Sequence, residues 1–358
     1  MSLAGAVALD PATLLEALLR HPSPTGSVGA AARALAALAR DAGFTTGTDD
    51  AGSVVMTWGD VGPPIAGAMV LLGHLDTVPG GPAVSEADGR LYGRGSVDAK
   101  GPLAAALAAV SRLPREGRRV TLVAAVDEEG ASNCAAALST LAPAAHLIVL
   151  EPSGWDAITV GYRGCVRLRL NLEQEAAHHA VPRPSAGDRL VAMLADLRRR
   201  LEELSVQTRH RASDRAVDQL QVRVNRLSSD DDGSVERAGA QVEVRVCAGV
   251  SAEQVLGLLP RACAELVIDS ACPAVAVSRS NPVSRALARA VAAHGGSARY
   301  TTKTGTSDLN VVLPAWRCPA AVYGPGDSIL DHSPHESIEI EELRRGSRVL
   351  ELAVASLR

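Results

Sequence analysis

Lysine is almost missing from this chain of 358 residues: Lys100 and Lys303 are the two, and arginine supplies the rest of the positive charge. Aromatic residues are nearly as scarce, with three Trp, four Tyr and one Phe, so the core must form by close packing of aliphatic side chains. No stretch of 18 apolar residues is present to cross a bilayer, and no charged segment leads into an apolar run as in a secretory signal, so a cytoplasmic location is expected. Nor is there an excess of positive charge: 36 basic against 40 acidic side chains leave a net charge of -4, which argues against nucleic acid and membrane partners. The six cysteines include no C-x-x-C pair, and a chain of this length needs no disulfide staples, so they read as small buried apolar groups of a reducing compartment.

What is present is aliphatic, at 47% hydrophobic residues, and long enough for two domains. Asp10-Pro11 and Asn281-Pro282 each read as a helix N-cap followed by a first-turn proline, and Gly43 closes an Ala/Leu-rich helix. Apolar runs at Ala68 to Leu72, Val120 to Val126 and Leu147 to Leu150 alternate with helical patterns at Pro102 to Leu113 and Ala131 to Leu141. That alternation predicts an α/β fold whose sheet is covered on both faces. From Val166 the texture changes to strict apolar and charged alternation, a half-exposed strand. It recurs at Leu220 to Val224 and Gln241 to Val246, around a loop expected at Ser228 to Gly233, with helices expected at Asp188 to Leu204 and Ala252 to Leu266. The expected organisation is therefore a larger α/β domain, residues 1–162 and 273–358, interrupted by a small α+β module at 163–272 with a one-sided antiparallel sheet.

Side chains able to bind a cation collect at the predicted strand ends, where loops of an α/β sheet carry function. In Gly73-His74-Leu75-Asp76-Thr77, the period of two puts His74 and Asp76 on one side, where the carboxylate can orient the imidazole. Asp98 lies in the glycine-rich turn Gly93 to Gly101, ahead of a helix, where a carboxylate can bridge two metals. The adjacent acids Asp127-Glu128-Glu129 end the second strand with side chains that must diverge, one free to ligate and another to face substrate. Glu151 ends the third strand, and His332 follows a Gly/Pro-rich loop far along the chain. Alone, each is an ordinary surface pair, solvated loop or cap; together they make the ligand chemistry of a two-zinc hydrolase.

With these motifs in view, G-H-x-D-T-V-P at Gly73 to Pro79, G-R-G-x-x-D-x-K-G at Gly93 to Gly101, D-E-E at Asp127 to Glu129, Glu151 and His332, the whole chain resembles the M20 metallopeptidases and deacylases. The resemblance implies a zinc-peptidase-like catalytic domain with a mixed sheet and an inserted, ferredoxin-like lid and dimerisation domain. It implies two zinc ions per subunit, or cobalt in their place, held by His74, Asp98 and Glu151 and by Asp98, Glu129 and His332. Glu128 becomes the general base and Asp76 the residue orienting His74. In the lid, His178 matches an oxyanion donor that reaches across a homodimer, with His179 the alternative, and Arg245 a contact to substrate carboxylate. Asn225 is a weaker lid candidate.

Within the family, Lys303-Thr304-Gly305-Thr306-Ser307-Asp308-Leu309-Asn310 lacks the arginine that many members place there to grip a carboxylate. This version resembles hydrolases that free lysine or ornithine from the C-terminal glutamate of an amino-group carrier protein in lysine and arginine biosynthesis. Lys303 then stands as a substitute carboxylate anchor and Asp308 as a partner for a cationic amine. The segment from Arg183 to Arg226, rich in arginine, suits an acidic carrier. An N-acyl-amino-acid deacylase of the acetylornithine or succinyl-diaminopimelate type, or a dipeptidase, is the competing expectation. Lys100 reads as structural.

Overall fold

The computed structural model describes residues 9–178, 180–208, 216–259 and 265–357; His179, His210 and Cys263 lie outside them. It divides into two compact units. The first comprises Met1–Val160, Val277–Thr302 and Ser307–Arg358, and the second Gly161–Ala276 with Lys303–Thr306.

The first unit is built on a mixed sheet in the order Thr45–Thr48, Val54–Gly59, Arg119–Ala125, Met69–His74, His146–Val149, Ala320–Val322 and Ala157–Tyr162. The four strands from Arg119–Ala125 to Ala320–Val322 run parallel, and Val54–Gly59 is antiparallel to its neighbour. Every residue of Met69–His74 is buried, as the continuous apolar run requires of a strand covered on both faces. The helix Lys100–Ser111 is buried from Lys100 to Val110, and its alanines let it approach the sheet closely. A Cβ on Gly73 would stand 3.0 Å from Leu103 and from Leu150, so the strand leading into His74 has no room for a side chain there. The caps fall where the sequence puts them: Asp10 accepts the N–H of Ala12, and Asn281 those of Val283 and Ser284. Gly43 holds φ +93°, the left-handed turn that ends the preceding helix.

The second unit is a four-stranded antiparallel sheet in the order Gln221–Asp231, Val235–Val246, Gly164–Glu175 and Glu265–Cys272, with helices Ala186–Thr208 and Ala252–Gly257. This strand-helix-strand-strand-helix-strand order is ferredoxin-like. Val166, Leu168, Leu170, Val242 and Val244 pack on Leu190, Leu197 and Val255, while the other face carries the cross-strand pairs Arg167 with Glu243 and Arg169 with Asp269. Two expectations are corrected here. The helix expected to run to Leu266 stops at Gly257, and Leu266 lies in the strand Glu265–Cys272, which pairs with Gly164–Glu175. Ser228 to Asp231 are not loop: the hairpin strands continue through them, and Asp232 caps the turn by accepting from Ser234 and Val235.

Candidate metal and catalytic site

Register in the parallel strands decides where the first candidates meet. His74 pairs with Ala125, and Leu72 with Val149, so three strands end at one edge of the sheet and release His74, Asp127 to Glu129 and Glu151 side by side. The glycine-rich turn brings Asp98 to the same point: His74 Nε2 lies 3.0 Å from Asp98 Oδ1 and 3.8 Å from Glu151 Oε1. His332, at φ +58°, places Nε2 2.7 Å from Glu129 Oε1 and 3.1 Å from Asp98 Oδ2. Two groups of ligand atoms result, His74 with Asp98 and Glu151, and Asp98 with Glu129 and His332, each within 4.8 Å. Asp98 belongs to both, one oxygen toward each histidine.

The donor set suits borderline divalent cations: imidazole nitrogen and carboxylate oxygen, with no thiolate. Carboxylates outnumber the imidazoles, and the chain compensates by drawing protons onto the histidines. Burial opposes a charged His74, but bonds to Asp76 and Asp98 outweigh it and hold its pKa well above the ordinary value. His332 is raised to about 10 by its bonds to Asp98 and Glu129. For Asp98, burial is outweighed by His332 and His74, which keep it below the ordinary carboxylate range. Metal ions would replace these protons as the balancing charge.

Asp76 is wholly buried and organises the rest. Its Oδ1 accepts the N–H of Glu128 and its Oδ2 that of Glu129, both at 3.1 Å, and Thr25 donates to Oδ2 at 2.7 Å. His74 Nδ1 is bonded to the Asp76 main-chain carbonyl at 2.8 Å and lies 3.7 Å from its carboxylate. Asp76 therefore sets the ring and, through two amides, the direction of Glu128 and Glu129. Asp127 is taken up by structure, accepting from Asn133 and Cys134 at the start of a helix. Glu128 has its pKa pushed well up by burial, with Asp308, Asp98 and Glu129 adding to it against His74. A carboxyl whose pKa is raised in this way holds a proton more readily than an ordinary one, which suits a proton carrier.

Asp308 is also buried, and its Oδ1 has no hydrogen-bond partner among the described residues. Burial raises it to about 7; His74 opposes, and Glu151, Asp76 and Asp127 reinforce the rise. Lys100 is structural: its buried ammonium donates to the carbonyls of Leu18 and His21. Four candidates belong to the second unit. His178 is exposed, with Nδ1 accepting from Ala180. Arg245 donates from Nε to Glu243 at 2.7 Å, while its buried Nη1 has no hydrogen-bond partner among the described residues. The main-chain carbonyl of Lys303 accepts from Arg163. Asn225 falls at the irregularity between Val224 and Arg226, a bulge in its strand. Thr25 was not singled out by its sequence context, since its role depends on a residue 51 positions away.

Residues 70–356 match the model of peptidase family M20/M25/M40. A LysW-lysine hydrolase of Deinococcus radiodurans is 35% identical over 353 residues, covering 95% of this chain and 96% of the relative. A LysW-lysine/LysW-ornithine hydrolase of Saccharolobus islandicus is 29% identical, with 81% and 82% covered. An M20 family metallo-carboxypeptidase from Sulfolobus solfataricus has a similar fold, with TM-score 0.77 at 16% identity, covering 97% of this chain and 99% of that one. Among the described residues no helix is long and apolar enough to cross a membrane. The chain belongs to peptidase family M20/M25/M40, and is a metal-dependent hydrolase of amide bonds.

Proposed function

We propose that this protein is a two-metal amide hydrolase that releases lysine or ornithine from the C-terminal glutamate of a small acidic carrier protein, as a step of lysine or arginine biosynthesis in the cytoplasm. The observation that carries the chemistry is the Asp98 carboxylate shared between two His/carboxylate clusters beside the buried Glu128. The substrate class rests on the relatives, two of them named for hydrolysis of LysW conjugates and aligned over most of both chains.

His74, Asp98 and Glu151 would hold one ion and Asp98, Glu129 and His332 the other; zinc fits, and cobalt is an alternative. When bound, such ions supply Lewis acidity, polarising the scissile carbonyl and lowering the pKa of water toward about 7. Glu128 takes the proton from the attacking water and returns it to the leaving amine. Asp76 holds His74 and the Glu128 main chain in register through this transfer. His178, from the partner subunit of a homodimer, donates to the developing oxyanion. Arg245 and Lys303 take the carboxylate of the substrate, and Asp308 its amine. Arginines of the second unit meet the carrier's acidic surface, although Arg199 is already paired with Asp196 and Glu203, and Arg200 with Asp196.

The test is a comparison of amino-acid release from a γ-glutamyl-lysine or γ-glutamyl-ornithine terminus on an acidic carrier with hydrolysis of N-acetylornithine and N-succinyl-diaminopimelate, zinc or cobalt present. Much higher kcat/KM on the carrier conjugate supports the reading. Faster turnover of a free acylated amino acid withdraws the carrier and leaves the metal chemistry.

A further inference from the structure

Glu336 is a carboxylate that no motif above uses, yet it is wholly buried within the first unit and surrounded by donors. Its Oε1 accepts three main-chain N–H groups, from Gly95 at 2.9 Å, Val97 at 3.0 Å and Asp98 at 3.2 Å. Its Oε2 accepts from Arg94 Nη1 at 2.6 Å. The turn from Gly93 to Gly101 is thus a nest of N–H groups wound around an anion, and the anion is the protein's own side chain. Glycine makes the winding possible: Gly95 sits at φ +92°, and a Cβ on Gly101 would stand 2.2 Å from the carbonyl oxygen of Ser96.

The same bonds tie together two distant parts of the chain. Glu336 follows His332 by four residues, and its own carbonyl accepts from Gly93. Arg94, clamped on Glu336, donates from Nη2 to the His332 carbonyl at 3.4 Å and from Nε to that of Gly80 at 3.3 Å. Next along, the strand Ser337–Glu339 pairs with Arg90–Tyr92, and Arg90 donates to both the hydroxyl and the carbonyl of Ser337. Asp98 comes from one side of this junction and His332 from the other, and their side chains meet at 3.1 Å.

We propose that Glu336, with Arg94, is a positioning residue for metal binding: it orders the glycine-rich turn around its carboxylate and so fixes the Asp98 bridge against His332. The proposal rests on the two-metal reading above. Partners that orient metal ligands from outside the coordination sphere typically contribute 10- to 100-fold in metal affinity or activity. In Glu336→Gln one oxygen becomes an NH2 group, which must face either the Arg94 guanidinium or the nest of N–H groups, donor against donor.

The experiment uses the full chain stripped of metal and titrated with cobalt against a competing chelator, with visible absorption reporting ligand geometry and circular dichroism confirming the fold. The wild-type chain is titrated first; if it binds no cobalt, the two-metal reading fails. Given two equivalents bound to the wild type, Glu336→Gln is expected to weaken binding at least about 10-fold and to change the cobalt absorption envelope. Arg94→Lys, which keeps the charge but not the bonds to both Glu336 and His332, guards against a Glu336 variant that does not fold; it is expected to weaken binding in the same direction. Wild-type cobalt affinity and absorption in a folded Glu336→Gln, or in Arg94→Lys when the former does not fold, would overturn the proposal, whatever happens to the melting temperature.

Discussion

Replacing Asp76 with Asn tests how the site is held, because the two side chains have nearly the same shape. Asp76 Oδ1 receives the N–H of Glu128 and Oδ2 that of Glu129, each at 3.1 Å, and Thr25 donates to Oδ2. An amide offers one oxygen and one NH2 group. With NH2 at the Oδ1 position, the N–H of Glu128 faces a donor. With NH2 at the Oδ2 position, Thr25 adapts by turning its hydroxyl into an acceptor, but the N–H of Glu129 is stranded. Either way one buried main-chain N–H loses its acceptor, at a cost of about 1–3 kcal/mol. The backbone carrying Glu128 or Glu129 shifts to relieve it, so kcat/KM should fall about 10- to 100-fold, which corresponds to about 1.4–2.7 kcal/mol. The assay is steady-state hydrolysis of the preferred substrate alongside metal analysis and a denaturant midpoint of the metal-free chain. Wild-type kcat/KM and metal content in Asp76→Asn would refute the claim that this carboxylate sets the position of Glu128 and Glu129.

Glu128→Gln is expected to lower kcat by about 100- to 10,000-fold while both metals stay bound; a matching loss of metal would make Glu128 a ligand and not the proton carrier. Chelation should empty the two clusters in order, since His332 is 49% exposed whereas the His74 side chain is 1% exposed. A stepwise chelator titration of the cobalt form should show two phases, and a single phase for both ions contradicts the argument. Lys100→Met removes the donor to the His21 carbonyl, at 2.9 Å, and should destabilise the chain by about 1–3 kcal/mol; an unchanged denaturant midpoint counts against it. Asn281→Ala removes the acceptor for the Val283 and Ser284 amides and should cost about 1 kcal/mol, read in the same way.

How much of this was legible in the sequence depends on the range over which each signal acts. The parallel strands announced themselves because a strand buried on both faces is apolar throughout, and in Met69–His74 it is. Since such strands end together, His74, Glu128, Glu129 and Glu151 were legible as neighbours before any coordinates. Caps were legible for the same local reason: Asp10 and Asn281 bond to amides two or three residues away. The misses come from elements whose identity is decided by a partner. The strand Glu265–Cys272, whose first residues were expected to close a helix, forms because Gly164–Glu175 offers it an edge. Ser228 to Asp231 has the composition of a loop, and is extended because its hairpin partner runs opposite it to the turn. Glu336 is the extreme case. Its sequence context, Ser-Pro-His-Glu, is that of an exposed loop acid, and its burial is explained by three amides and a guanidinium lying 238 to 242 positions away. A ligand can be read from its residue type and its place at a strand end. The group that orders a ligand's backbone carries no such mark itself: the requirement shows at Gly95 and Gly101, where the turn winds, and not at Glu336.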